Sequence, residues 1–163
     1  MNKDLKLKII SNMNTRKYTQ FGTLMVIIFV PIIIFSIIMI FTEGLQDTSA
    51  LVAYSIVSLS MIAALLFFYK LTIEIDDAFI SFKLGIGWFG RKYRIDNLIS
   101  CKSVKNSIWY GMGARLLPNG WLFNVSGLKA IELSFKNKKS IIRIGTNKPE
   151  EIAEIVTTLI NKL

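Results

Sequence analysis

Two stretches of the chain, residues 18–42 and 48–69, contain no charged residue and are apolar almost throughout. They are 25 and 22 residues long. At about 1.5 Å of rise per helical residue, each is long enough to cross a hydrocarbon core roughly 30 Å thick. A helix buried in a soluble bundle needs polar residues at helical spacing to face water. Between residues 23 and 41 the first run offers only Thr23, Pro31 and Ser36. The second is milder, with Tyr54, Ser55, Ser58 and Ser60, and its Ala50, Ala53, Ala63 and Ala64 suit close packing on a neighbouring helix. The pattern predicts a transmembrane hairpin with a short external turn at residues 43–47. A cleaved signal peptide is not expected, because the first run is too long for an h-region and no small-x-small site follows it.

From residue 70 onward the hydrophobic period shortens to two. Leu71, Ile73 and Ile75 alternate with Thr72, Glu74 and Asp76, which predicts a strand starting at the membrane exit without a linker. Six more are expected at residues 79–84, 91–95, 98–104, 121–125, 129–135 and 140–144. Between them lie a glycine-rich loop at 85–90, an irregular loop at 105–120 and turns at 76–77, 96–97 and 137–139. The chain closes on a helix. Asn147 is placed to cap it with Glu150 as capping-box partner, Pro149 fits its first turn, and Ile152, Ile155, Val156, Leu159 and Ile160 form one apolar stripe. Seven short strands in a meander, closed by one amphipathic helix, is the element order of a pleckstrin-homology-like (PH-like) barrel. The fold class expected is a membrane protein: a two-helix transmembrane hairpin, then an all-β PH-like barrel over residues 70–163.

Charge sets the orientation. The net charge is +9, and residues 1–17 hold Lys3, Lys6, Lys8, Arg16 and Lys17 against Asp4 alone. The turn holds Glu43 and Asp47 with no basic residue, and residues 70–163 hold 15 basic and 8 acidic residues. The positive-inside rule then puts both termini in the cytoplasm of a multi-pass cell-membrane protein. Anionic head groups would attract the basic domain there. A nucleic-acid partner is not expected, because the basic residues are scattered along strands and not gathered on one helix.

The run from Gly111 through Arg115, Pro118, Trp121 and Asn124 to Gly127, with Ile144-Gly145-Thr146-Asn147 and Pro149-Glu150 after it, resembles small bacterial membrane proteins in which a PH-like domain follows two transmembrane helices. The resemblance spans nearly the whole chain. It implies fold and membrane attachment, and brings no assigned activity and no catalytic residue.

Motifs that carry chemistry do not survive scrutiny of their context. Gly85-Ile86-Gly87-Trp88-Phe89-Gly90 has the letters of a dinucleotide-binding loop, but a basic strand follows where a helix N-terminus is needed. Asn124-Val125-Ser126 spells a glycosylation sequon inside the cytoplasmic part. Cys101 is the single cysteine and the chain has no histidine, so there is no internal disulfide, no commonest metal ligand and no usual base to activate a nucleophile. Asp76-Asp77 and Glu150-Glu151 are explained by a turn and a helix first turn. No catalytic residue, metal, cofactor or small-molecule substrate is expected.

Counting strands away from the membrane, at about 3.3 Å per residue, sends the Asp76-Asp77 turn outward and brings residues 85–90 back to the surface. By the same alternation Asp96-Asn97 points away and the loop from Lys105 returns. Trp88, Phe89, Trp109 and Tyr110 are then expected at head-group depth, with Arg91, Lys92, Lys105 and Arg115 close to lipid phosphates. The mouth that binds phosphoinositides in eukaryotic PH domains would face away from the bilayer with two of its three loops acidic, so no such site is expected. The function expected is a non-enzymatic, membrane-anchored module at the inner face that recruits or regulates a membrane or envelope protein, alone or as a homo-oligomer. The alternative is a lipid-interacting or structural component whose basic domain contacts anionic head groups.

Overall fold

The structure, a computed structural model, describes residues 15–110 and 113–162. The N-terminal lysines Lys3, Lys6 and Lys8, and Gly111 and Met112 of the resembling run, lie outside the described residues. Strand β1 (Arg16–Phe21) precedes helix α1 (Thr23–Met39), which runs on as one π-helical turn over Ile40–Gly44, and α2 (Thr48–Phe68) completes the helical hairpin. Both helices are long and apolar enough to cross a membrane, and only 6 % of the most apolar stretch of each is buried. Ile27, Ile34, Phe35, Val52, Ile56 and Leu59 all lie bare on their flanks. Neither helix is therefore a core helix of the β domain. They meet through small residues: Ser36 and Ser58 are buried, and Gly44 lies against Leu51.

The first helix starts at Thr23 and not at residue 18. Arg16, Tyr18 and Gln20 alternate with Lys17, Thr19 and Phe21, and this period of two pairs the segment antiparallel with β2 (Lys70–Ile75), Phe21 opposite Lys70 and Arg16 opposite Ile75. The hairpin is thus inserted between two neighbouring strands of one sheet. At the junction the Gly22 amide donates to the Tyr69 carbonyl at 2.7 Å.

Among the described residues nine strands form two sheets, where about seven in one closed barrel were expected. The first has the order β1-β2-β3-β4, with β3 Phe79–Leu84 and β4 Phe89–Arg94. The second has the order β5-β8-β9-β7-β6, built from β5 (Leu98–Lys105), β6 (Gly113–Leu117), β7 (Gly120–Asn124), β8 (Lys129–Phe135) and β9 (Lys138–Gly145). The meander breaks because β7 lies parallel to β9, and the sheets do not close into a barrel. The loop expected over residues 105–120 contains a 3-10 turn, Ile108–Tyr110, and all of β6, whose hairpin with β7 turns at Pro118-Asn119.

The core lies between the inward faces of the two sheets and under α3 (Pro149–Asn161). Leu71, Ile73 and Ile75 of β2, Ile80, Phe82 and Leu84 of β3, and Phe123, Ile131 and Ile144 of the second sheet are buried, with Phe82 and Phe123 rings 4.6 Å apart. The α3 stripe behaves as its spacing predicts: Ile152 and Val156 are fully buried and Ile155, Leu159 and Ile160 pack at the margin. Burial of each such side chain contributes about 1.5–3 kcal/mol. The cap differs from expectation. Lys148 is the N-cap residue and makes no side-chain cap bond; with φ −126° and ψ 57° it stays outside the helical region, which a following proline disfavours. Asn147 stands one residue before the N-cap and accepts a hydrogen bond from Gln20, and Glu150 accepts one from Ser103, so the two do not form a capping box.

Candidate functional site

The strand directions divide the β domain into a helix-proximal end and a distal end. Phe21, Lys70, Leu84 and Phe89 mark the proximal end of the first sheet. In the second sheet, Gly113 lies 3.9 Å in Cβ reach from the Phe68 ring, and Gly145 lies beside Gln20. The β3–β4 turn packs directly on the end of α2. The Gly85 amide donates to the Lys70 carbonyl at 2.8 Å, and Gly85 has φ +57° with no room for a Cβ, which would overlap the Leu66 carbonyl. Trp88 meets Phe67 edge-on at 5.8 Å and is otherwise 72 % exposed. Phe89 turns half inward, against Phe82 and Phe123. Trp109, 91 % exposed, and half-buried Tyr110 lie between the proximal ends of β5 and β6, and Phe21 and Ile86 add to the same bare apolar end.

The cations divide between the two ends. Lys105 stands at the proximal end of β5 directly opposite Lys129 of β8, two like charges side by side that an anion would relieve. Arg115 lies two residues up β6, opposite Leu122. Lys92 points the other way, its ammonium 3.9 Å from the Asp76 carboxylate and 3.9 Å over the Phe79 ring at the distal end. Arg91 alternates with Lys92 and faces inward, opposite the buried Phe82. Lys92 and Arg91 are therefore not part of the proximal rim. A strand's alternation separates neighbours in sequence, and β4 carries the two of them to opposite faces, two and three residues from its proximal end at Phe89.

The two sheets have one covered seam and one open seam. On the covered side α3 lies between β1 and β5: Tyr18 donates to Glu151 at 2.8 Å, Ser103 to Glu150 at 3.1 Å and Thr157 to the Cys101 carbonyl at 3.4 Å. On the other side β4 and β6 are both edge strands. Between β4 and the β6–β7 and β8–β9 turns a cleft of about 860 Å³ opens at the distal end. Arg91 and Tyr93 face it from β4, and Lys138 and Lys139 from the start of β9. Among the described residues, none of Arg91, Lys138 and Lys139 has a carboxylate partner. Burial pushes the Tyr93 hydroxyl up, with the Arg91 cation pulling against it. Sequence reasoning missed this cleft because it assumed a closed barrel; the legible signal was Arg91, a cation at the inward phase of a strand whose other inward residues are aromatic.

The remaining chemical candidates are occupied by structure. Burial pushes the Cys101 thiol up to about 12, so it stays protonated near neutrality. Residues 85–88 form a hairpin turn, with the Gly87 amide donating to the Leu84 carbonyl, and β4 follows. The Asn124 side chain is buried, donating to the Gly127 carbonyl and accepting from the Ser126 amide. The Asp76 carboxylate accepts the Ala78 and Phe79 amides and shapes its turn. Comparison of the chain with known protein families, with curated proteins and with solved structures returns no match.

Proposed function

We propose that the chain is a non-catalytic, membrane-anchored binding module, its β domain held rigidly on the inner face of a cell membrane by a two-helix hairpin. The observation that carries the reading is the continuity of hairpin and sheet. Paired neighbours β1 and β2 each run into a helix end with one residue between, Gly22 on one side and Tyr69 on the other. Sheet pairing of both flanks of the hairpin supports two crossings, and the basic flank and acidic turn favour the cytoplasm for that side. Trp88, Trp109, Phe21 and Tyr69 at the helix ends then sit at head-group depth. Two stacked sheets with a terminal helix over one seam support the PH-like relation that the residue resemblance implies, with the opposite seam left open. Contact with anionic lipid as the whole function is the second reading, and the Lys105–Lys129 pair at the rim favours it.

The test uses full-length protein retaining Trp88 alone, with Trp109→Phe and Trp121→Phe, in bilayers containing lipids brominated at the upper acyl chain. The proposal expects strong quenching of Trp88 and a cytoplasm-active reporter fused after Leu163. An unquenched Trp88 removes the docked rim, and a periplasm-active reporter reverses the orientation.

A further inference from the structure

The open seam has the form of a strand position left empty. On the inward face of the second sheet, Leu133, Ile142, Trp121 and Leu116 are successive cross-strand neighbours. Their exposure climbs along that row from 0 % to 8 %, 43 % and 72 %. An inward-facing apolar row thus runs out from under the core and ends bare in the cleft. Across the cleft, the six residues of β4 use their backbone on one side only, toward β3. An unpaired edge beside an uncovered apolar row is the arrangement to which an added strand docks, its main chain pairing with the edge and its alternate side chains lying on the row.

The charges select the strand. Arg91 holds an inward position at the edge, Lys138 and Lys139 face it from the start of β9 opposite, and among the described residues no acidic one lines the cleft. A second copy of this chain would bring another basic β4 edge to the seam and be repelled. Residues 1–14 carry Lys3, Lys6 and Lys8 against Asp4, the same sign as the cleft. Head groups of the membrane that holds the hairpin lie at the opposite end of the domain. We infer that the seam between β4 and β6 is a docking site for an extended, acidic segment of a partner protein, which pairs with the β4 edge, lays apolar side chains on Leu116 and Trp121 and directs carboxylates to Arg91, Lys138 and Lys139. This deepens the reading of the chain as a membrane-anchored recruiting module by giving the recruited partner its chemistry.

The experiment is titration of full-length protein, in nanodiscs of neutral phosphatidylcholine, with a fluorescent eight-residue peptide Val-Thr-Val-Thr-Glu-Thr-Glu-Thr, whose valines and glutamates share one face of the strand. Binding is expected to weaken steeply with salt. Arg91→Glu, and separately Lys138→Glu with Lys139→Glu, should each raise Kd about tenfold or more, the scale of one or two charge-assisted hydrogen bonds. These positions are exposed, and an unchanged circular dichroism spectrum confirms that the variants fold. N-methylation of alternate peptide amides should abolish binding, because a patch that is merely basic does not need the peptide's main chain. The proposal is overturned if the N-methylated peptide binds equally, if a valine–threonine peptide of the same length binds as well, if the charge reversals leave Kd unchanged, or if ATP binds the cleft and the peptide does not. Because the bilayer is neutral, failure here leaves the Trp88 quenching result standing, and loss of quenching leaves this binding intact.

Discussion

Glu74 stands in the middle of β2 with a lysine on either side, Lys17 of β1 at 3.4 Å and Lys83 of β3 at 3.0 Å. The hydrogen bond from Lys83 comes first in holding its carboxyl below the usual carboxylate range, and the charges of Lys83 and Lys17 add to it against an opposing push from burial. A carboxyl whose folded pKa is depressed stabilises the fold above its unfolded pKa of about 4.3, and that stabilisation is lost as pH falls through the lower folded value. Glu74→Gln should therefore cost about 0.5–1 kcal/mol at neutral pH and progressively less on acidification. Thermal midpoints of parent and variant from pH 7 to pH 3 read this directly; a gap that stays constant down to pH 3 would mean that packing, not charge, explains the loss. The alternation around Glu74 was legible in the chain. Its partner Lys17 was not, because Lys17 reads equally well as one of several basic residues flanking a transmembrane run.

Between elements, the informative contact is the clamp from β1 to α3. Gln20 is buried, and its Nε2 donates to the Ser126 carbonyl at 2.7 Å and to Asn147 Oδ1 at 2.9 Å, tying the first sheet to the β7–β8 loop and to the start of the helix. Gln20→Ala removes both hydrogen bonds, each contributing about 0.5–1.5 kcal/mol, and should destabilise the domain by about 1–3 kcal/mol. Asn147→Ala should cost a similar amount, and the double variant clearly less than the two together, since both remove one shared bond. Chemical denaturation of the four proteins in detergent measures the cycle. Strict additivity would restore Asn147 to the role of an independent helix cap. Strands β2, β3 and β8 and the α3 stripe were legible because each buries one face and shows the matching period. Strand β1 was hidden because it abuts an apolar helix with only Gly22 between them. Strand β6 was hidden because Gly113-Ala114-Arg115-Leu116-Leu117 does not alternate: it borders the open seam and leaves Leu116 bare.

At the scale of the molecule, the hairpin occupies the place of a tight turn. Phe21 and Lys70 are cross-strand partners, so replacing residues 22–69 by Asn-Gly, a dipeptide suited to a two-residue hairpin loop, should give a water-soluble domain with both sheets intact. A fragment beginning at Lys70 lacks β1, exposes the β2 edge and loses Gln20, and should aggregate or lose protection that the joined domain keeps. Amide hydrogen exchange of β2 in the two proteins decides between them, and equal protection would make β1 dispensable. The order of synthesis then acquires a meaning. Strand β1 leaves the ribosome first and its partner follows only after the 48 intervening residues, a separation that makes spontaneous pairing of the two strands entropically costly. Folding of the helical hairpin brings Gly22 and Tyr69 within one hydrogen bond of each other and removes most of that separation. In a membrane-anchored chain the sheet is therefore completed only after both helices have inserted, and a chain whose second helix fails to insert keeps β1 and β2 on opposite sides of the bilayer. On the membrane-anchored reading proposed above, completion of the β domain would act as a built-in checkpoint on insertion, and only a correctly threaded chain would display both finished sheets.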